Sequence, residues 1–256
     1  MIILLSEAKI IDIKRGVESL AEITEPIFKG VAEELMLKLA EYDLAGLAQL
    51  FSISSDLAAK LKRDIYNFTD SDSVAQAAVV AFWGAAYKKL CVDNFGKTDF
   101  EYAQEHLRLA SAAYGMLRPL DAIRPYRMDF YTQLTGYEGN LQHFWRERIT
   151  TALLDDIRSE ESGILLNLAS NETFTSFDVK LLKRECEVVN VAFKVVTHKG
   201  VKSAPVVIVK QARGALTGFI IRNRVESVEA LSAFDEMDMT FYPEMSDGNN
   251  VTFIYK

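Results

Sequence analysis

The chain has 256 residues, 49% of them hydrophobic and 25% charged, and its formal net charge is −7. This composition is typical of a globular protein with a sizeable core, and the negative balance argues against a protein that coats nucleic acid indiscriminately. No run of 18 apolar residues is present, which excludes a membrane-spanning helix on sequence grounds. Cys91 and Cys186 share no metal or redox spacing, and so few cysteines favour a reducing, cytoplasmic setting.

The chain opens with a predicted buried strand. Residues 1–5 are apolar and lead into Ser6, and without a basic leader they indicate a strand rather than a signal peptide. Polar groups directly after such a strand often face a ligand in open sheets, and Ser6, Lys9 and Asp12 occupy these positions. Ser6 and Lys9 also match the S-x-x-K pattern of acyl-transferring enzymes, but the S-D-N and K-T-G partner motifs are absent. The pattern therefore carries little weight.

Helical periodicity dominates residues 17–65, and further helices are predicted as far as residue 160. Apolar residues at three- and four-residue spacing predict helices, and capping residues mark two of the helix starts. Thr98 and Glu101 form a capping box, and Asn140 precedes an amphipathic run. The Ala-rich segment 74–90 fits either a buried strand that leads into a helix or a helix alone. The predicted helical segments are 17–65, 98–109 and 141–160.

The second half of the chain is predicted to be rich in strands. Two β-branched runs flank a His-Lys-Gly turn at 198–200, which predicts a hairpin, and Asp247-Gly248 predicts a second turn. The predicted elements are strands at 163–170, 186–196, 204–210, 239–243 and 249–256, and helices at 211–224 and 227–234. Because no linker or repeat interrupts them, we expect one α+β domain over residues 1–256, with a mixed sheet flanked by helices.

The most informative stretch is 106–127, in which His106 and four arginines are interleaved with apolar residues. Pro119 and Pro125 lack the backbone donor that a helix interior needs, so this stretch is not a regular helix throughout. Arginines anchored on irregular backbone suit a pre-positioned site for phosphate or carboxylate. A buried ion-pair network around Asp121 explains the same residues equally well. The arginines are Arg108, Arg118, Arg124 and Arg127.

Two further groups of polar residues are candidates for anion binding. Asn167 and Ser170 follow a predicted buried strand, although a turn or helix cap explains them equally well. Lys210 and Arg213 lie three residues apart near a predicted helix start, where Gly214 permits close backbone approach. A solvated helix face is the alternative for this pair. Together with Gly218, Gly214 forms a G-x-x-x-G pattern, which indicates close helix packing.

No cofactor or metal is predicted from local motifs. His106, His143 and His198 are far apart in the chain, and neither a phosphate loop nor a dinucleotide-binding glycine pattern occurs. Charge is nevertheless distributed unevenly. Residues 180–224 hold ten Lys or Arg against two Glu, whereas residues 225–256 hold seven Asp or Glu against one Lys. Either the two segments pair with each other, or the basic segment steers an anionic partner.

These segments, in this order, resemble the YaaA peroxide-stress protein family over nearly the whole chain. The long block around Arg118 is the most specific part of the likeness. The residues that carry it are Ser6-x-Ala8-Lys9-x-x-Asp12, Ala81-Phe82-x-Gly84 with Tyr87, His106-Leu107-Arg108, Tyr114-Gly115-x-Leu117-Arg118-Pro119-Leu120-Asp121, Pro125-Tyr126-Arg127, Phe144-Trp145, Asn167-Leu168-Ala169-Ser170, Ala212-Arg213-Gly214 and Phe219-Ile220-Ile221-x-Asn223-Arg224.

The resemblance implies a cytoplasmic bacterial protein that limits peroxide damage in connection with intracellular iron. It also implies a single α+β domain with a basic cleft and a helix-hairpin-helix-like element associated with DNA binding. In this chain that element maps to Ser111–Gly115. Its backbone amides would meet phosphates without reading bases.

Three departures from the family pattern bear on function. Glu7 stands where relatives have Pro, and Ala85 follows Gly84 where relatives usually have an acid, which weakens any acid-dependent chemistry. Ala112 stands where relatives have the first glycine of the hairpin. Because a Cβ atom disfavours positive φ, phosphate contact through this hairpin is disfavoured in this chain.

The leading hypothesis is a peroxide-stress protein that binds duplex DNA through a basic cleft with little sequence preference. Cationic side chains would contact phosphates, so affinity would fall as salt rises. The residues predicted to contact phosphate or line the cleft are Lys9, Arg108, Arg118, Arg124, Arg127, Lys210 and Arg213.

A hypothesis from a different class is an enzyme that acts on a small anionic or nucleotide-like ligand. Lys9 beside arginines would act as a base, and Ser6, Asp12 and Asp121 are the other catalytic candidates. The pocket would be formed by Ser6, Lys9, Asp12, Arg118, Asp121, Tyr126, Arg127, Asn167, Ser170 and Arg213. A third hypothesis is a non-catalytic iron-handling protein.

Overall fold

Helices and strands are mixed along the chain, which a computed structural model describes over residues 1–70 and 72–255. The strands are β1 (Ile2–Ser6), β2 (Gln76–Ala77), β3 (Leu107–Ser111), β4 (Gly115–Leu117), β5 (Ala122–Ile123), β6 (Ile164–Asn167), β7 (Glu187–Thr197), β8 (Gly200–Ser203), β9 (Met239–Phe241) and β10 (Asn250–Tyr255). The helices are α1 (Lys29–Ala40), α2 (Leu44–Phe51), α3 (Ser55–Phe68), α4 (Ala78–Ala81), α5 (Ala85–Leu90), α6 (Lys97–His106), α7 (Leu141–Ser159), α8 (Asn171–Phe174), α9 (Val179–Glu185) and α10 (Val206–Asn223). Short 3₁₀ turns occupy Val92–Asn94, Glu229–Ala233, Glu236–Asp238 and Pro243–Met245.

Eight strands form one mixed sheet in the order β4-β3-β1-β6-β7-β10-β9, with β8 paired to the end of β7. The five central strands, β3 to β10 in that order, are parallel, and β4, β8 and β9 are antiparallel at the margins. From β1 the chain adds β3 and β4 on one side and then crosses to β6 on the other. The order therefore reverses between β1 and β6, where open sheets tend to bind ligands beyond the carboxyl ends of their strands.

The predicted fold class is confirmed, because helices flank a mixed sheet around one hydrophobic core. The first four residues of β1 are buried, as their apolar character predicted. Asn140 caps α7 as predicted, since its side chain accepts a hydrogen bond from the N–H of His143 at 3.2 Å. No described helix is both long enough and apolar enough to cross a membrane.

Several predicted boundaries were wrong. The strand predicted at 204–210 is the start of α10, because Pro205 precedes the helix and the helix packs against α5. The strand that completes the β7 hairpin is β8 instead. The capping box at Thr98 was also wrong, since Gly96 is the cap and its N–H donates to the Asp99 carboxylate at 2.8 Å. The predicted helix at 227–234 is a 3₁₀ turn, and residue 256 of the last predicted strand lies outside the described residues.

The segment assigned to a helix-hairpin-helix-like element, Ser111–Gly115, is instead the turn between β3 and β4. All five of its residues are buried. The N–H of Ala112 donates to Glu7 and that of Tyr114 to Ser111 Oγ, so these two amides are already occupied. Gly115 has a φ of +70°, and a Cβ there would lie 2.6 Å from the Trp145 ring. Burial and internal hydrogen bonding leave this hairpin unable to approach a phosphate.

Close packing between α10 and α5 confirms the interpretation of the G-x-x-x-G pattern. A Cβ at Gly214 would lie 1.8 Å from the Ala86 carbonyl oxygen, and one at Gly218 would lie 2.7 Å from that of Leu90. Only glycine permits this approach, because contacts this short are forbidden to a methyl group. The packing holds the adjacent Arg213 against the N-terminal half of α5.

Candidate functional site

A cleft of about 510 Å³ lies at the carboxyl ends of β1 and β6, where the strand order reverses. Its walls come from the loop after β1, the loop after β6, the start of α5, residues 128–130 and the first half of α10. The volume falls in the range of small-molecule sites, about 300–1,000 Å³. Of the predicted site residues, the cleft brings together Ser6, Lys9, Ser170, Lys210 and Arg213.

The two strand ends are joined by hydrogen bonds that shape the cleft floor. Ser6 Oγ accepts a hydrogen bond from the N–H of Ser170 at 2.9 Å, and the Ser6 carbonyl accepts one from Tyr87 Oη at 3.0 Å. Ser170 caps α8 through a hydrogen bond from the N–H of Thr173. Asn167 lies behind this floor, where its side-chain amide donates to Asn190 at 3.0 Å. Ser6 and Ser170 therefore line the cleft with occupied oxygens, whereas Asn167 is structural.

Glu7 is the first residue after β1 and lies at the base of the cleft. One carboxylate oxygen accepts a hydrogen bond from the N–H of Ala112 at 3.0 Å, and the other accepts one from Tyr126 Oη. Tyr126 Oη also lies 2.8 Å from Ser111 Oγ, so the side chains form a continuous network. Burial raises the pKa of the Glu7 carboxyl from its usual 4.5 to about 7, although these hydrogen bonds favour the charged form. Glu7 therefore changes charge near neutral pH.

The cations of the cleft are weakly neutralised. Lys9 is 71% exposed, and its Nζ lies 3.6 Å from Asp129 rather than beside Ser6. Lys210 is exposed, and it forms no salt bridge within residues 1–70 and 72–255. Arg213 Nε is buried without a hydrogen-bond partner, and burial lowers the pKa of its guanidinium. A buried donor without a partner is destabilising, so an incoming anion would be favoured at Arg213.

Two further carboxyl groups face these cations. Glu172 follows the loop after β6, and Asp129 precedes the buried Phe130. Burial, together with the nearby Asp129, raises the pKa of Glu172, while Lys9 and Lys210 oppose the rise. The central cleft thus carries both carboxyl groups and cations, and Lys9 pairs with Asp129 within it.

The surface continues past Lys9 into two smaller depressions that share this residue. The first, of about 40 Å³, is lined by Tyr126 and Arg127, and the second, of about 170 Å³, adds Lys60. Arg127 is half-buried and forms no salt bridge with any described residue, whereas Lys60 lies 3.7 Å from Asp64. We call the row Arg213, Lys210, Lys9, Arg127 and Lys60 the basic track.

The structure does not bring the other predicted arginines to the cleft. Arg108 is 5% exposed, and its Nε donates to Asp156 at 2.6 Å. Arg118 donates through Nε and Nη2 to Asp121, a fully buried carboxylate that also accepts from Thr24. These two arginines form the structural ion pairs that were the alternative to an anion site.

Two remaining candidates also lie elsewhere. Arg124 lines a separate depression beside α1, and its Nε donates to the carbonyl of Ser73 at 3.3 Å. Asp12 does not line the cleft, and its carboxylate accepts from the N–H of Lys14 at 3.1 Å. The predicted convergence of Asp12, Arg118 and Asp121 with Lys9 is therefore wrong.

The basic and acidic segments of the second half do not neutralise each other. A single described salt bridge joins them, between Arg222 and Glu236 at 2.7 Å. Arg224 pairs instead with Asp99 at 2.8 Å, and Arg184 pairs with its neighbour Glu185. Most cations of the basic segment therefore remain available for a partner.

Sequence reasoning missed Glu7, Asp129 and Glu172 as cleft residues. Glu7 appeared only as a departure from the family pattern, although its position directly after β1 satisfies the strand-end rule applied to Ser6 and Lys9. Asp129 carries no local signal, and Glu172 lies two residues beyond Ser170. Only the folding of residues 128–130 over the strand ends brings these acids together.

Two alternatives to the cleft, a second cavity and a metal site, have less support. A cavity of about 500 Å³ runs along α7 beside α9, but it lies away from the carboxyl ends of the strands. No group of three His, Cys, Asp or Glu side chains that could hold a metal ion occurs among residues 1–70 and 72–255. The iron-handling hypothesis therefore gains no ligand set from this part of the chain.

Comparison with known proteins places the whole cleft within a matched region. Residues 1–245 match the profile of a family described as peroxide stress protein YaaA. A UPF0246 protein of Parabacteroides distasonis is 34% identical over 255 residues, and one of Porphyromonas gingivalis is 36% identical over 255, each match covering 99% of both chains. A UPF0246 protein of Bacteroides thetaiotaomicron is 36% identical over 256 residues, covering 99% of this chain and 98% of the relative.

Proposed function

The chain belongs to the peroxide stress protein YaaA family, as its motifs predicted, and from this premise we propose that it binds duplex DNA along the basic track during the cytoplasmic response to peroxide. Binding would limit the iron-linked damage that peroxide causes. The family relation supports the stress role, and the resemblance in sequence motifs motivates the link to iron and DNA.

The observation that carries the proposal is that the cations of the basic track line three depressions rather than one. Three adjoining depressions share Lys9, and their cations extend from Arg213 and Lys210 on α10 to Arg127 and Lys60. A row of cations longer than one pocket suits a polyanion with regularly spaced phosphates better than a single small anion. Such contacts bind without base readout, which fits low sequence preference.

The carboxyl groups of the cleft make this binding depend on pH. Glu7 and Glu172 both have raised pKa values because of burial, and that of Glu7 is about 7. Protonation of these groups removes negative charge opposite Lys9, Lys210 and Arg213. Affinity for DNA is therefore expected to rise as pH falls from 8 to 6, a range that brackets the pKa of Glu7.

A salt titration tests the proposal. Fluorescence anisotropy with a labelled duplex of roughly 20 base pairs, two helical turns, gives affinity between about 50 and 200 mM salt. The double variant Lys210→Gln, Arg213→Gln should bind about tenfold more weakly and lower the slope of log affinity against log salt by about 1.8, since each phosphate contact contributes about 0.9.

A matched control carries the same charge change outside the track. Arg158→Gln, Arg184→Gln removes two exposed arginines that share Glu185, and it should bind DNA like the wild type. If the wild type does not bind the duplex at low salt, or binds it with an affinity that does not change with salt, the protein does not bind DNA through phosphate contacts along the basic track.

Survival under peroxide tests the physiological part. A strain lacking the protein should be sensitive to peroxide, and an iron chelator should restore its survival. The wild-type chain should complement the defect, and the Lys210→Gln, Arg213→Gln variant should not. Complementation by this variant would separate the stress role from the basic track.

A second candidate function is catalysis on a small anionic or nucleotide-like ligand. The cavity of about 510 Å³ at the strand-order reversal favours it. Lys210 and Arg213 would hold the anionic group, and Glu7 rather than Lys9 would transfer a proton, because Lys9 is exposed beside Asp129. Thermal shift with pyrophosphate and adenine nucleotides tests this candidate. Stabilisation of the wild type but not of Arg213→Gln supports it, and no shift with any probe argues against it.

A further inference from the structure

A second basic surface lies outside the cleft. It is the hairpin formed by the end of β7 and by β8, residues 194–203, which we call the arm. The arm contains Lys194, Lys199 and Lys202 and no Asp or Glu, and it lies within an acid-free stretch from Val188 to Val225. None of the three lysines forms a salt bridge with a residue of 1–70 or 72–255. The arm is therefore a cationic surface with no internal counter-charge.

The arm projects beyond the same edge of the sheet as the cleft. β6 ends at Asn167, which pairs with Asn190, whereas β8 pairs with residues 194–197 further along β7. At about 3.3 Å per residue, the tip of the arm extends roughly 20 Å past the end of β6. Because β10 pairs with β7 as far as Val195, residues 196–201 form the two-stranded part of the arm that projects beyond the sheet.

The arm is connected directly to the cations of the cleft. The N–H of Ala204 donates to the Phe193 carbonyl at 3.0 Å and closes the base of the arm. Pro205 follows, and α10 begins at the next residue and carries Lys210 and Arg213 into the cleft. The arm is thus joined to the Lys210 end of the basic track through Pro205 and the first turn of α10.

The arm also exposes an apolar pair. Val196 and Val201 are directly opposite each other across the hairpin, and they are 60% and 39% exposed. Lys202 is opposite Val195, so its side chain leaves from the other face of the ribbon. The arm therefore has cations on both faces and an apolar pair on one. This arrangement suits a groove whose sides carry phosphates and whose floor offers apolar groups.

We propose that the arm inserts into the major groove of the duplex whose backbone lies on the basic track, an inference that rests on the proposed function. A two-stranded ribbon fits this groove, which is about 12 Å wide. The three lysines contact phosphates on the groove walls. Val196 and Val201 contact apolar groups of the groove without hydrogen bonds to base edges, which keeps the sequence preference weak.

Two variants separate the roles of the arm. Lys194→Gln, Lys199→Gln, Lys202→Gln should lower the salt slope by up to about 2.7, three contacts at about 0.9 each, and weaken binding at least tenfold. Val196→Thr, Val201→Thr keeps the β-branched shape and should weaken binding about fivefold while the salt slope stays unchanged. The matched control is Lys180→Gln, Lys183→Gln, Arg184→Gln on α9, which should leave both quantities unchanged.

The outcomes distinguish the arm from the function on which it rests. If the wild type does not bind duplex DNA, the proposed function fails and the arm's role fails with it. If the wild type binds and the triple lysine variant matches it in affinity and slope, only the arm's role is overturned. Replacing the three lysines by arginine should preserve the slope, which excludes misfolding of the arm as the cause of the loss. A valine variant that alters oligomeric state instead of affinity assigns the apolar pair to self-association and overturns groove insertion.

Discussion

Two groups of cations in this protein have similar chemistry and opposite surroundings. Arg108 and Arg118 are held by the carboxylates of Asp156 and Asp121, the second of which is fully buried. Lys210 and Arg213 line an open cleft and have no salt bridge within the described chain. An arginine paired with a carboxylate of the fold contributes to folding, whereas a cleft cation without a salt bridge remains available to a ligand. The partner of a cation, more than its residue type, separates a structural role from a binding role.

The largest expected effect comes from breaking a structural pair. Arg118→Ala should lower the free energy of unfolding by about 3–5 kcal/mol, because it leaves the Asp121 carboxylate buried without its cation. Urea denaturation measures this loss. Duplex affinity of the folded variant should equal that of the wild type.

The control for this prediction is an exposed pair. Arg184→Ala breaks a surface contact with Glu185 and should change stability by no more than about 0.5 kcal/mol. If Arg118→Ala left stability intact and abolished DNA binding, Arg118 would belong with the cleft cations and the contrast between the two groups would be lost.

A smaller effect is expected from Glu7 in the cleft. Because burial raises the pKa of Glu7 from 4.5 to about 7, its contribution to stability is fully present below pH 4.5 and is lost as pH rises through 7. Between pH 5 and 8 the wild type should lose about 2 kcal/mol relative to Glu7→Gln. Gln keeps the shape and satisfies the Ala112 N–H and Tyr126 Oη without a charge. Denaturation at both pH values measures the difference.

DNA binding provides an independent check on Glu7. The gain in affinity expected for the wild type between pH 8 and pH 6, on either side of the Glu7 pKa, should be smaller in Glu7→Gln, because the carboxyl group with a pKa of about 7 has been removed. Equal pH dependence of stability in both proteins would assign the transition to another group.

A still smaller effect is expected from Arg127, in the middle of the basic track. Arg127→Gln should weaken duplex binding about fivefold and lower the salt slope by about 0.9, the value for one phosphate. Its stability should stay within about 0.5 kcal/mol of the wild type, since Arg127 has no salt bridge among the described residues. Anisotropy and urea denaturation measure the two quantities.

Lys60, at the end of the basic track, provides the control substitution for Arg127→Gln. It shares its charge with Asp64 at 3.7 Å, so Lys60→Gln should change affinity less than Arg127→Gln. A loss of stability without a loss of affinity in Arg127→Gln would move Arg127 into the structural group.

Local patterns predicted the elements that depend on neighbouring residues. The apolar run of β1, the Asn140 cap of α7 and the antiparallel pairing of β9 with β10 are all confirmed. Predictions failed where distant contacts override local preference. The β-branched run after Pro205 became helical because α10 packs against α5, and the 111–115 turn became buried beneath Trp145.

The residues of the candidate site also fall into two groups, those that a local pattern predicted and those that only the fold revealed. The rule that polar residues after a buried strand face a ligand selected Ser6, Lys9 and Ser170, which line one cleft, but also Asp12 and Asn167, which do not. The separation of structural arginines from cleft cations required the fold. Arg108 meets an aspartate 48 residues away, and no spacing rule connects the two.

The amino-acid sequence by itself determined the family, the fold class and the residue types able to bind an anion, because motifs and periodicities are local properties of the chain. Tertiary structure decided which cations remain unpaired and that Glu7 accepts a hydrogen bond from Tyr126. It also decided from which end of the sheet the basic hairpin projects. Those outcomes depend on contacts between residues far apart in the chain. Burial shifts the pKa of a side chain such as Glu7 only after the chain has folded.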